Sequence, residues 1–438
     1  MAISCSPGKK NHPGSGTESD KEKISDDSLL TLVQYRTFQY FWDGAEPNSG
    51  MARERFHVDG IYPDNDKNVV TTGGTGFGVM AILSGIERDF ITRDEGYSRF
   101  CRIVEFLKKS DRFHGAWPHW IYGEKGKVKP FSPKDNGADI VETAYLVQGL
   151  LTVRQYFIDG SEKEKALASD IDRLWREVEW NWFTKGGENV LYWHWSPTYG
   201  WEMNFPVQGY NECLILYILA ASSPTYPIQA KAYHNGWARS GAINTNGGKY
   251  GYILTLKHNG AGEYGGPLFW AHYSYLGLDP RKLKDRYADY WQENTNQTLI
   301  NWEWCSLNPQ NYTGYSKVCW GLTAGYSVKF YAAHSPGDKN DLGVISPTAA
   351  LSSFPYTPDH SMDALKHFYY YLGNKIWGEY GFYDGFSEQF NWFPRKYLAI
   401  DQGPVVVMIE NYRTGLLWNL FMSCSEIHNG LKLLDFTY

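Results

Sequence analysis

A chain of 438 residues is long enough for two or three average domains, or for one large helical or barrel domain. Its formal net charge of -6 argues against a nucleic-acid or anionic-membrane partner, which needs a strongly basic face. With 18 Trp, 33 Tyr and 22 Phe, 17% of the chain is aromatic. A core accounts for many of these rings. Their setting beside Gly, Asn and Asp is also how carbohydrate clefts are built, with flat apolar faces on the sugar ring and polar neighbours on its hydroxyls.

Residues 1–27 are a polar Pro/Gly/Ser/Lys run that cannot bury enough surface to fold, and they are expected to be a flexible linker. From 28 to 438 two kinds of segment alternate. Amphipathic, charge-bearing helices are expected at 28–42, 93–109, 161–182, 228–239, 280–302 and 358–373. The first sets Leu29, Leu32, Val33 and Phe38 against Gln34, Arg36 and Gln39. Between them a Gly-rich polar lead-in repeatedly opens a strongly apolar helix. These are "TTGGTGFGVMAILSGI" (71–86), "NGADIVETAYLVQGLL" (136–151), "FPVQGYNECLILYILA" (205–220), "EYGGPLFWAHYSYLGL" (263–278), "YSKVCWGLTAGYSVKFY" (315–331) and "DQGPVVVMIENYRTGLLWNLFM" (401–422).

Helices that are apolar on most sides must be covered on most sides. Six of them, each followed by a half-polar one, predict an all-α fold: an inner ring inside an outer ring, an (α/α)6 toroid spanning 28–438. If successive helices are antiparallel, the inner six run the same way and their lead-ins meet at one mouth. Two aromatic stretches, 189–197 and 249–260, are expected as hairpins or loops on its rim.

The mouth then pools Asp135, Asp139, Glu142, Glu212, Glu263 and Asp401. Hydrolysis of a glycosidic bond needs two carboxyls, one protonated and one ionised. Asp139 and Glu142 share a helix face, but D-x-x-E is also a capping box, and the two roles can be divided between them. Glu212 precedes eight uncharged residues, so desolvation should raise its pKa as a general acid requires; it is also a favourable first-turn acid. Asp401 is either a functional acid or a cap, with Pro404 placed at the first helical position. Glu410 is expected to pair with Arg413 three residues on. Asp135 reads as a helix starter.

The aromatic candidates are Trp117, His119, Trp193, Trp195, Tyr199, Trp201, Trp270, Tyr383 and Trp392, each a core ring or a sugar platform. The six cysteines are too widely spaced for a CxxC motif and read as buried thiols, Cys5 apart. No HExxH, paired-cysteine zinc pattern, EF-hand loop or G-x-S-x-G elbow occurs, and "GGTGFG" (73–78) misses the phosphate-loop spacings. No metal or cofactor is expected.

The run "YLAIDQGPVVVMIENYRTGLLW" (397–418), with "GFYDGF" (381–386), "DNGADIVETAYLVQGLL" and "GYNE", resembles the glucoamylase-like glycosidases of Bacteroidetes, and among them the endo-β-1,2-glucanase group, glycoside hydrolase family 144. The resemblance covers the chain from about residue 28. It implies an (α/α)6 toroid and an inverting, metal-independent hydrolase acting on β-1,2-linked glucan, with Asp139, Glu142, Glu212 and Asp401 as the functional carboxylates. Asp135, Glu263, Gln402 and the aromatic candidates are expected to bind substrate. An α-glucan-directed enzyme, a polysaccharide lyase on the same toroid and a non-catalytic glycan-binding lipoprotein are the alternatives. Cys5 resembles a lipoprotein acylation site after a trimmed or replaced signal, so a monomeric periplasmic or outer-membrane lipoprotein of a Gram-negative bacterium is expected.

Overall fold

The computed structural model describes residues 21–438. The anchor expectation at Cys5 and most of the 1–27 linker lie outside the described residues. The first helix, α1 (Asp26–Trp42), starts two residues before the predicted boundary because Ser25 caps it, accepting a hydrogen bond from the Ser28 amide.

Helices then alternate between inner and outer positions. α2 (Thr72–Glu87) is inner, and every residue from Thr72 to Ile86 is buried. α3 (Arg93–Lys109) is outer, opened by a Thr92–Glu95 capping box. α4 (Ile140–Phe157) is inner, α5 (Glu162–Arg176) outer, and α6 (Leu214–Ser222) inner and wholly buried. A π turn (Ala232–Trp237) takes the next outer place. The fourth inner position holds only two 3-10 turns, Leu268–Ala271 and Tyr273–Tyr275. α7 (Tyr290–Leu307) is outer, α8 (Pro347–Leu351) inner and α9 (Pro358–Lys366) outer. After the short α10 (Gly373–Ile376), the ring closes with inner α11 (Ala399–Arg413), which packs on both α1 and α2. Across the ring's thinner side, the Tyr356 hydroxyl donates to the Ala271 carbonyl, and His272 Nε2 lies 3.0 Å from Ser353 Oγ. α12 (Leu416–Met422) and α13 (Ser425–Leu433) cover the end under α4 and α6.

Three expectations are corrected. The segment 315–331 is not the fifth inner helix. Its apolar run is buried but extended, and it ends in a hairpin of Ala324–Tyr326 with Tyr331–Ala333. Gly321 there has φ +130, and a Cβ on it would press on Ser346 O and Ala349 at 3.0 Å. The run lies against α8, which is the true fifth inner helix. A short buried strand and a buried helix share the same unbroken apolar signature. Second, α11 begins at Ala399, so Pro404 sits inside the helix and not at its first position; Asp401 lies in the first turn. Third, Glu410 does not pair with Arg413. Its carboxylate accepts from Arg88 at 2.7 and 2.9 Å, whereas Arg413 reaches Asp27, Thr31 and Gln34.

The hairpin expected at 249–260 forms slightly earlier, from strands Asn244–Lys249 and Tyr252–Leu256. The stretch 189–197 does not fold on itself. Its strand His194–Trp195 pairs with Ala138–Asp139, the lead-in to α4.

The tightest packing in the inner ring joins α2 to α4 backbone to backbone. A Cβ on Gly149 would stand 2.1 Å from the Gly76 carbonyl oxygen, and one on Gly76 would stand 2.1 Å from that of Tyr145. Gly149→Ala is therefore expected to destabilise by roughly 2–3 kcal/mol through overpacking, against a small gain in helix propensity. Denaturant unfolding checks this; an unchanged midpoint would contradict it.

Candidate active site

The N-terminus of α4 organises the mouth. Asp139 is its N-cap, with Oδ1 accepting from the amides of Val141 (3.0 Å) and Glu142 (2.9 Å). Asp139 Oδ2 faces the other way and accepts from His119 Nδ1 at 2.9 Å. The reciprocal half of a capping box is missing, because the Asp139 amide donates to the Trp117 carbonyl. Glu142 is thus released for other partners: Oε2 accepts from the Gly73 amide at the start of α2 (2.9 Å), and Oε1 lies 3.9 Å from His119 Nε2. A Cβ on Gly73 would collide with that carboxylate at 2.5 Å, so the glycine keeps its place open.

Beside this cluster lies a cleft with two connected parts. The inner part, about 350 Å³, is lined by Glu54, Arg55, His119, Glu142 and Glu212 among aromatic residues. The outer part, about 620 Å³, shares His119, Phe131, Trp193, Glu212 and Phe269 with it and continues past Phe205 and Trp270. All six inner lead-ins contribute: Thr71 before α2, His119 and Glu142 at α4, Glu212 before α6, Phe269 in the 3-10 turns, Tyr326 ahead of α8, and Leu398 with Ile400 at α11. The pooling of lead-ins at one mouth, expected from the alternation, is realised.

The charges divide into two kinds. Burial alone would raise Asp139, but the hydrogen bond and charge of His119 reverse this and hold it below the ordinary carboxylate value. Burial opposes a charge on His119, yet Glu142 and then Asp139 lift it to about 9, so it is a cation at neutral pH. Burial pushes Glu142 up to about 7, with His119 and the Gly73 amide opposing the rise. Burial pushes Glu212 to about 7 as well; its own backbone opposes this and the Glu142 charge adds to it. Among the described residues no Lys, Arg or His forms an ion pair with Glu212. Glu54 is raised by burial that its contact with Arg55 only partly offsets.

Asp401 belongs to a different cluster. It is buried against Asp384, whose Oδ2 accepts from the Tyr326 amide at 2.6 Å. Burial and then the Asp384 charge raise Asp401 well above its ordinary value, and one buried oxygen of each acid has no hydrogen-bond partner. Asp401 therefore favours its protonated form, and it is not among the residues that line the cleft. Asp135 does not start a helix. It is buried in the loop before α4, with Oδ2 3.5 Å from His194 Nε2, and burial and Asp139 raise it to about 7.

The aromatic candidates separate sharply. Trp193 and Trp270 line the cleft, as does His119. Trp117 is fully buried, its indole donating to the Leu107 carbonyl, and belongs to the core. Trp195 packs on His114 and Phe113, and Trp201 on Trp182, Phe183 and Tyr192, away from the cleft. Tyr199 lies exposed on the 196–200 turn, and Glu263 pairs with Lys249 at the surface. Tyr383 is buried and accepts from Arg395, and Trp392 closes a turn with Ser387. Gln402 donates to the carbonyls of Tyr380 and Phe382, holding a loop. None of these lines the cleft. Missed by the sequence reading were Glu54, Arg55, Trp120, Phe131, Phe269 and Tyr326 on the cleft wall and Asp384 behind it. They come from loops, short strands and, for Phe269, a 3-10 turn, where no periodicity marks which side chain faces the cleft. Only "GFYDGF", containing Asp384, carried a signal.

A double ring of helices with several carboxyls gathered at one aromatic-walled mouth defines a toroidal glycosidase-type scaffold. The Glycoamylase family model, described as "Putative glucoamylase", matches residues 204–425. The chain belongs to this family. A crystal structure of the endo-β-1,2-glucanase from Chitinophaga pinensis, a complex with sophorotriose and glucose, is 66% identical with TM-score 0.94, covering 95% of this chain and 99% of that one. The exo β-1,2-glucooligosaccharide sophorohydrolase (non-reducing end) of Parabacteroides distasonis is 47% identical over 430 residues, 94% of this chain; the chain spans 58% of that relative's length. The endo-β-1,2-glucanase of Talaromyces funiculosus, in complex with sophorose, is only 12% identical at TM-score 0.66 and shares the fold.

The shift at Glu212 has a sign that can be tested. Its native carboxyl titrates near 7 against an ordinary 4.5, so the folded state keeps a proton that the unfolded chain has lost. Stability from this group is complete below 4.5 and declines as pH rises to about 7. Glu212→Gln is expected to raise Tm by a few degrees at pH 8 and to leave it unchanged at pH 4. Scanning calorimetry at the two pH values decides; a lower Tm at pH 8 would contradict the desolvated setting.

Proposed function

We propose that the protein is an inverting glycoside hydrolase acting on β-1,2-glucan and its sophoro-oligosaccharides. The observation that carries this reading is the position of Glu212. It stands where the two parts of the cleft meet, raised to about 7 and, among the described residues, without an ion-paired cation to hold it ionised. A carboxyl in that state can give its proton to a glycosidic oxygen at neutral pH. The β-1,2-glucan activities carried in the names of the Chitinophaga and Parabacteroides relatives support the substrate.

Glu142 is the complementary base. The His119 cation and the Gly73 amide favour its ionised form, and it lines the same cleft. Asp139 has both oxygens engaged, and Asp401, raised well above its ordinary value, does not line the cleft, so Glu142 is better placed to take a proton from water. Glu212 protonates the leaving oxygen on one side of the scissile bond while Glu142 deprotonates a water on the other, inverting the anomeric centre without a covalent intermediate. Phe131, Trp193, Phe269 and Trp270 supply apolar faces for successive glucose rings. Asp139 keeps His119 charged and oriented, and so acts on Glu142 at one remove. Acylation at Cys5, placing a monomer in the cell envelope, completes the proposal; labelled palmitate incorporated by the chain expressed behind a lipoprotein signal, and not by its Cys5→Ala variant, is the expected result.

Glu212→Gln is expected to lower kcat on β-1,2-glucan by about 10²–10⁴-fold with the fold intact by circular dichroism. Near-normal turnover would sink the assignment, and cleavage of malto-oligosaccharides in place of β-1,2-glucan would overturn the linkage. Because the free enzyme loses the Glu212 proton near pH 7, kcat/KM should fall above about pH 7 in the parent.

A further inference from the structure

Away from the cleft, three distant segments bring together three unlike metal-ligating side chains. Cys319 closes a turn in which Ser316 and Cys319 exchange backbone hydrogen bonds of 3.1 and 3.2 Å. His367 opens the π turn His367–Tyr371 that continues α9. Glu388 lies on the turn closed by Ser387 and Trp392, whose backbones pair at 2.8 and 2.9 Å. One ligand atom from each of the three lies within 4.8 Å of the other two.

The imidazole is left unsatisfied by its protein surroundings. His367 Nε2 is buried and has no hydrogen-bond partner. Burial keeps the imidazole below its ordinary value, so it is neutral and has a lone pair to offer. Burial raises Glu388, and Lys375 opposes that only at a distance. Cys319 is fully buried, and desolvation and then the Glu388 charge push its thiol well up. The space for the carboxylate is kept open by Gly314, at φ +96, where a Cβ would stand 2.3 Å from Glu388 Oε1. A buried thiol beside a half-buried imidazole, whose inner nitrogen has no partner, and a half-buried carboxylate is an arrangement that a bound cation would satisfy.

We propose that Cys319, His367 and Glu388 form a binding site for a zinc-class divalent cation. A mixed sulfur, nitrogen and oxygen donor set suits zinc and its first-row neighbours and disfavours calcium and magnesium, which take oxygen. With bonds of about 2.0–2.3 Å, ligand atoms on a tetrahedral ion stand roughly 3.5 Å apart, so side-chain adjustment alone closes the site. A water fills the fourth position. On binding, the Cys319 S–H bond breaks, its proton passes to solvent, and the thiolate bonds to the metal with no change of oxidation state. The ion would tie the turn at Cys319, the π turn and the turn at Glu388 into one unit. Cys319 precedes the Ala324–Tyr326 strand by five residues, and Tyr326 lines the cleft. π turns recur at functional positions in helices, in keeping with this one carrying a ligand.

The test uses the full chain, treated with EDTA and titrated with Co²⁺ as the probe. A thiolate-to-cobalt absorption band saturating at one equivalent is expected, together with its loss on adding Zn²⁺ and a higher Tm with Zn²⁺ present. Cys319→Ser should abolish the band. Glu388→Gln should weaken Co²⁺ binding by more than about tenfold, since loss of even an outer-sphere partner does as much. Glu388→Gln should also leave hydrolysis at saturating metal unchanged. Absence of the band in the parent, its survival in Cys319→Ser, or unaltered affinity in Glu388→Gln would each overturn the site. If Cys319→Ser fails to fold, the Glu388 variant decides, because its carboxylate is only half-buried.

Discussion

The two-sided engagement of Asp139 is the interaction on which the mouth depends. One oxygen accepts from the first unpaired amides of a helix buried over its first four turns, and the other fixes the His119 ring. A helix with no polar face cannot leave its first amides bare, so the cap is a structural necessity. The cap places a buried negative charge at the floor of the mouth, and that charge requires a cation nearby. His119 supplies it and then lies close enough to Glu142 to act on a second carboxyl. A requirement of folding thereby becomes the electrostatic framework of a cleft.

The ring geometry does the rest. Six lead-ins converge because the inner helices run parallel, and the close approach of Gly76 and Gly149 brings α2 and α4 near enough for the Gly73 amide to reach Glu142. Glu212 receives no such help. It reaches the same space from the lead-in to α6, where burial meets no compensating charge. Two carboxyls of the same type, near the same titration point, are thus set apart by what faces them. One has a cation and an amide, the other an apolar wall.

The sequence carried the architecture well and the site only in part. Alternation of apolar and amphipathic segments was enough to predict two rings, and the boundaries of α3 match to the residue. It failed where length and side-chain size were decisive. The Pro347–Leu351 helix is too short and too poor in large side chains to show a period, whereas the longer run at 315–331 imitates one. For the site, Asp139, Glu142 and Glu212 were legible because each adjoins a strong helix signal. Glu54 and Phe131 were not, since their loops meet the cleft only through closure of the ring. The aromatic residues show the limit most plainly: Trp117 and Trp193 are equally apolar and equally loop-borne, yet one is fully buried in the core and the other lines the cleft.

The central claim is that Glu212 and Glu142 act from opposite sides of the bond, with water as the nucleophile. Proton NMR of the first products released from β-1,2-glucan, recorded faster than mutarotation, tests it most directly. Inversion makes the α-anomer of the new reducing end appear first, with the β-anomer growing in afterwards. Initial accumulation of the β-anomer would contradict it, because retention requires a carboxylate to attack the anomeric carbon.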